Sequence, residues 1–106
     1  MDPTGLVNAQ LYALLAGDYP TAYALNSAAN QTRFGSAATF EHVVRGSAQF
    51  RLLTEAGRTT ELTPVPGAEG SVAVTVVSGG ATGNFVFDLV RDAKVGWCTD
   101  GVRIEC

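Results

Sequence analysis

A chain of 106 residues has too little sequence to bury two hydrophobic cores, so residues 1–106 are read as one domain. Hydrophobic residues make up 46% and charged residues 16%, a balance that excludes an intrinsically disordered chain. The formal charge of −3, with seven scattered Lys and Arg residues, excludes the continuous basic stripe that nucleic-acid binding requires.

Thr4 is read as the N-cap of a first helix, in which Leu6, Val7, Leu11, Leu14 and Leu15 recur at helical spacing until Gly17 stops it. Asp18 caps a second helix, with Pro20 in the first turn where a missing N–H costs nothing, and this helix ends near Asn26-Ser27. A polar connection follows. Ser36 then caps a third helix whose Phe40, Val43 and Val44 share a face, with Gly46 just past its end. From Ala48 the period changes to two, and residues 48–52 are predicted as a half-buried strand. Glu55 to Arg58 read as a turn and residues 59–65 as a strand that Pro64 and Pro66 confine to a sheet edge. Val72, Val74 and Val76 mark one face of a further strand, and Phe85, Phe87 and Leu89 one face of the next. Val95, Trp97 and Thr99 continue the alternation up to Asp100-Gly101, a dipeptide suited to a tight turn.

Helices followed by a meander of hairpins cannot build the βαβ alternation of a parallel sheet. The predicted class is therefore α+β, with three N-terminal helices packed on a curved antiparallel sheet of four to five strands. A hollow between the two layers is the place to look for a ligand. No run approaches the ~18 consecutive apolar residues of a membrane span, and Met1-Asp2-Pro3-Thr4 lacks the features of a signal peptide.

The order of elements is joined by particular runs: residues 10–19 ending in Gly17-Asp18-Tyr19, Ala22-Tyr23, Arg33-Phe34-Gly35, Phe40 with Val43-Val44-Arg45, Gly96-Trp97 and Asp100-Gly101-Val102. Together they resemble small bacterial members of the nuclear-transport-factor-like superfamily, which includes ketosteroid isomerase and scytalone dehydratase. The resemblance covers roughly the whole chain and implies a cone-shaped, cystatin-like roll of helices against a curved sheet. It implies no single activity, because members range from enzymes to transport factors, ligand binders and dimerisation modules. On this basis the cone is expected to be lined by Tyr12, Tyr19, Tyr23, Phe40, Phe87 and Trp97. In the enzymes of the superfamily a carboxylate or histidine base works with a tyrosine, which makes Asp88, His42 and Tyr23 the catalytic candidates here.

Each candidate has a plainer reading. His42 falls off the apolar face of its helix and reads first as a solvated surface residue. Asp88 alternates with Phe85, Phe87 and Leu89, so it faces solvent if that aromatic row faces the helices. One histidine without a Cys pair nearby supplies no metal site, and no cofactor is expected. Gly79-Gly80 with Gly83 joins two strands and opens no helix, so it is not a phosphate loop. Cys98 and Cys106 would be separated by roughly 26 Å on an extended path, against the ~5.5–6 Å of a disulfide, so a bridge needs a turn between them. That bridge is preferred over two free thiols, and with it an oxidising, extracytoplasmic setting. The function expected is a non-enzymatic domain that binds a small apolar ligand or a protein partner and can form a homodimer through its sheet. The alternative is a small isomerase, dehydratase or hydrolase.

Overall fold

The computed structural model describes residues 2–105. The first helix, α1 (Pro3–Leu15), is capped by Asp2 and not by Thr4: the Asp2 carboxylate accepts from Gly5 N at 2.7 Å, and Pro3 takes the first helical position. Proline is favoured there because its missing N–H would have no partner in any case. Leu6, Val7, Leu11 and Leu14 are buried, whereas Leu15 and Tyr12 turn outward. The second helix, α2 (Tyr19–Ala24), has the predicted Asp18 cap, which accepts from Thr21 N at 3.3 Å.

Where a polar connection was expected, the chain forms α3 (Ala28–Phe34), capped by Ser27. This helix buries Asn30 and lacks an apolar stripe, so its sequence carries no helical hydrophobic period. α4 (Ala37–Gly46) has the predicted Ser36 cap and buries Phe40 and Val44. The strand predicted over residues 48–52 is instead a short helix, α5 (Ala48–Arg51), running into a 3-10 turn at Leu52–Thr54. Ser47 caps it by accepting from Phe50 N at 3.3 Å. Five residues of alternating polarity cannot separate the two periods, and the cap together with buried Leu52 and Leu53 decides for the helix.

Four strands follow: β1 (Thr59–Pro64), β2 (Ser71–Ser78), β3 (Ala81–Asp92) and β4 (Gly96–Glu105). They form an antiparallel meander in the order β1-β2-β3-β4. Gly79 and Gly80 both adopt positive φ, which is the backbone that a two-residue hairpin between twisted strands requires. The pairs Val72↔Phe87, Val74↔Phe85 and Phe87↔Val102 align one apolar face. That face packs on α1, α4 and the 3-10 turn in a single cluster.

Asp100-Gly101 is not a turn. Gly101 is absent from the positive-φ glycines, and β4 runs straight through it. The pairing passes from Asp88↔Gly101 to Leu89↔Thr99, so Asp100 is an extra residue, a β-bulge that bends the sheet. Val95, predicted as strand, sits at the exposed β3–β4 turn, where Asp92 accepts from Lys94 N and Val95 N. β4 continues from Cys98 to Glu105 without the turn expected between the two cysteines. Cys98 is a buried free thiol, and Cys106 lies outside the described residues. Among the described residues no disulfide points to an oxidising compartment.

Arg58 ties the layers together. Its guanidinium donates to Leu53 O at 2.9 Å and to Leu11 O at 2.8 Å, satisfying carbonyls of the 3-10 turn and α1 at once. Burial pulls its pKa down, so the charge is held at some desolvation cost. Arg58→Met keeps most of the apolar stem and removes both bonds; it is expected to lower stability by about 2 kcal/mol in urea unfolding. An unchanged midpoint would show that water replaces the guanidinium without loss.

Candidate functional site

Gln10 lies one turn after Leu6 and one turn before Leu14, on the apolar stripe of α1, and is buried. A buried amide must find partners. Its Nε2 donates to Ala22 O at 2.9 Å and to Asn26 Oδ1 at 3.0 Å, while its Oε1 accepts from Thr99 Oγ1 at 2.6 Å. Backbone bonds hold the same junction: Ser27 N donates to Thr99 O at 2.8 Å, and Thr99 N to Leu25 O at 3.0 Å. Residues 26 and 99 thus form a short parallel bridge that fixes the end of α2 to β4. Beside it, Asn30 Nδ2 reaches Thr99 O at 3.5 Å, and Arg33 donates to Asn30 Oδ1 at 3.0 Å and to the Asp100 carbonyl. Ser27 Oγ donates to the Asp100 carboxylate at 2.7 Å.

Next to this polar cluster is a partly enclosed cavity of about 290 Å³ between the helices and the sheet. Leu14, Phe40, Val44, Leu53, Phe87 and Val102 form its apolar wall. Phe34, Val43 and Phe50 complete the lining, and Val43 is 41% exposed. Gln10, Asn26, Asn30 and Arg33 supply the polar end. The lining holds no carboxylate, imidazole or thiol. Such a site can accept an apolar body and hydrogen-bond a polar atom that it carries.

Of the residues expected to line the cone, Phe40 and Phe87 do so. Tyr19 is buried behind Phe40, edge-on with ring centroids 6.4 Å apart. Tyr23 packs on Phe40 at 5.9 Å, and its hydroxyl is engaged with Gln31 O at 2.6 Å. Tyr12 is 66% exposed and borders a surface groove with Arg58. Trp97 lies over Gly70, where an added Cβ would come within 3.0 Å of its ring, and Arg91 stands 5.9 Å from the ring centroid. His42 is exposed, in a shallow depression beside Glu41 and Arg45. The catalytic candidates Asp88, His42 and Tyr23 are not brought together.

Asp88 lies on the outer face of the sheet, because the aromatic row faces the helices. It accepts from Arg103 Nε at 2.8 Å and Nη2 at 3.3 Å and from Ser71 Oγ at 2.9 Å. The Arg103 hydrogen bond holds its carboxyl below the usual carboxylate range, against the opposing effect of burial, and Ser71 adds to the lowering. A carboxylate so stabilised is a poor general base. Among the described residues no three His, Cys, Asp or Glu side chains cluster to hold a metal ion.

The residues missed by sequence reasoning are Gln10, Asn26, Asn30 and Thr99. Their signal was available as polar residues placed on inward positions, Gln10 on the α1 stripe and Thr99 in step with Trp97. Compared with protein-family models, with curated proteins and with solved structures, the chain matches none.

A depressed folded-state pKa contributes stability that is present above about pH 3.9 and lost as pH falls through the folded value. Asp88 followed by NMR is expected to titrate below that ordinary value and to move up in Arg103→Met. Identical midpoints in the two proteins would mean that the ion pair does not persist in solution.

Proposed function

We propose that the chain is a non-enzymatic binding domain that takes a small, mostly apolar ligand into the cavity between its helices and sheet. The observation that carries this is the cavity's lining: apolar walls closed at one end by amides and an arginine, with no carboxylate, imidazole or thiol among them. A 150 Å³ apolar cavity holds a benzene, so about 290 Å³ accommodates a ligand of about a dozen non-hydrogen atoms. An isomerase or hydrolase reading needs a base beside a tyrosine hydroxyl in that space. Asp88 and His42 both lie away from it, which supports binding without chemistry.

Docking through the outer sheet face has weaker support. That face carries Thr75, Asn84, Asp88, Arg103 and Glu105, with Val77 and Val90 as isolated exposed apolar residues. The cystatin-like cone of the nuclear-transport-factor-like superfamily remains the architecture proposed for the domain. Helices on the inner side of a bulged meander, with a cavity between them, support it.

Naphthalene titrated into 15N-labelled protein tests the reading, since Trp97 stands outside the cavity lining and cannot report by fluorescence. Saturable shifts are expected at Leu14, Phe40, Val44, Phe87 and Val102, and Val43→Trp at the cavity lining is expected to weaken binding about 10-fold by steric exclusion. Shifts confined to the outer sheet face, or none that saturate, would overturn the proposal.

A further inference from the structure

We infer that the buried side-chain amide of Asn26 is a recognition donor, and that the ligand taken into the cavity presents a neutral carbonyl oxygen to it. This rests on the binding reading above and names the chemistry of its ligand.

Ala22 O, which Gln10 Nε2 meets at 2.9 Å, is a backbone carbonyl and only accepts. Gln10 must therefore turn its NH2 group toward it, since the flipped amide would set oxygen against oxygen. That orientation leaves Gln10 Oε1 for the Thr99 hydroxyl and directs the second N–H toward Asn26. Asn26 must answer with Oδ1, because its own NH2 would meet another NH2. Both amides are oriented by one backbone carbonyl. What remains is Asn26 Nδ2, a buried donor with no partner among the described residues. Asn26 is 3% exposed and belongs to the cavity lining. Buried donors in folded proteins are almost always paired, so this donor, on a residue of the cavity lining, calls for an acceptor that a ligand entering the cavity can bring.

Charge selects among acceptors. A carboxylate buried here would need a free cation, and the candidate is Arg33. Its guanidinium already donates to Asn30 Oδ1 and the Asp100 carbonyl, stands 3.8 Å from the Asp100 carboxylate, and has a side chain 59% exposed. An ammonium or other donor group would face donors. A ketone, ester or amide oxygen matches the amide without bringing a charge.

The test uses the 15N-labelled 106-residue chain and three probes of nearly one shape: 2-acetylnaphthalene, 2-isopropenylnaphthalene, in which CH2 replaces the oxygen, and 2-naphthoate. The ketone is expected to bind about 10-fold more tightly than the alkene, and only the ketone to move the Asn26 side-chain N–H resonances downfield. Equal affinities with an unmoved Asn26 amide would overturn carbonyl recognition while leaving the binding reading intact. Tighter binding of 2-naphthoate than of the ketone would overturn the neutral headgroup. Failure of both ketone and alkene to bind would overturn both readings. Asn26→Asp keeps an oxygen for Gln10 but removes the donor, so the preference for ketone over alkene is expected to vanish. If that variant does not fold, the comparison of isosteres on the wild-type chain still decides.

Discussion

The hydrogen bonds of Gln10 are the constraint on which the arrangement of this domain depends. One side chain on α1 joins the last turn of α2, the segment after it and the residue directly before the bulge in β4. Thr99 is fully buried and Gln10 nearly so, so these bonds form without competition from water. Apolar packing alone would let α1 slide over the sheet, because hydrophobic contact is non-directional. Directional bonds between buried amides fix the helices over the sheet at one register and make the cavity reproducible in shape.

The bulge at Asp100 is the second determinant, and it follows from the first. Thr99 must face inward to meet Gln10, while Val102 and Ile104 must face inward to pair with Phe87 and Phe85. Positions 99 and 102 differ by an odd number, so a regular strand of period two cannot point both to the same side. One extra residue resolves the conflict. Asp100 is then free to be held from outside the ladder by Ser27 and Arg33, which anchors α3 against β4. The small residue Gly101 and the modest Val102 that follow leave the space which the cavity occupies.

Much of this could be read from the sequence, and the failures share a cause. The caps at Asp18 and Ser36, the apolar row of β2 and β3 and the antiparallel order were legible because each is a local rule. α3 was not, since its buried residue is an asparagine held by Thr99, 69 positions away. Asp100-Gly101 carries the composition of a turn, but the parity conflict between Thr99 and Val102 turns it into a bulge, and nothing local signals that. The space between the layers was the place to look for a ligand, and of the six aromatics expected to line it Phe40 and Phe87 do so. Its polar end is built on Gln10, Asn26 and Asn30, amides that carry no ionisable signature of the kind Asp88 and His42 display, and ionisable groups are costly to bury.

That preference for neutral groups inside is itself informative. The described ion pairs all lie at the surface: Arg33 with Asp100, Arg45 with Glu41, and Arg103 with Asp88 and Glu105. The interior instead uses amides and hydroxyls, which carry direction without charge. The charged side chain in the cavity lining, Arg33, is turned to Asn30 and Asp100 and is mostly exposed, so the groups left to meet a ligand are amides. Selectivity then comes from matching donors to acceptors, where a missing partner is penalised more heavily than a good one is rewarded. The two layers of this fold therefore divide the work: hydrophobic burial sets the volume that a ligand occupies, and the buried amides set which atom it must present.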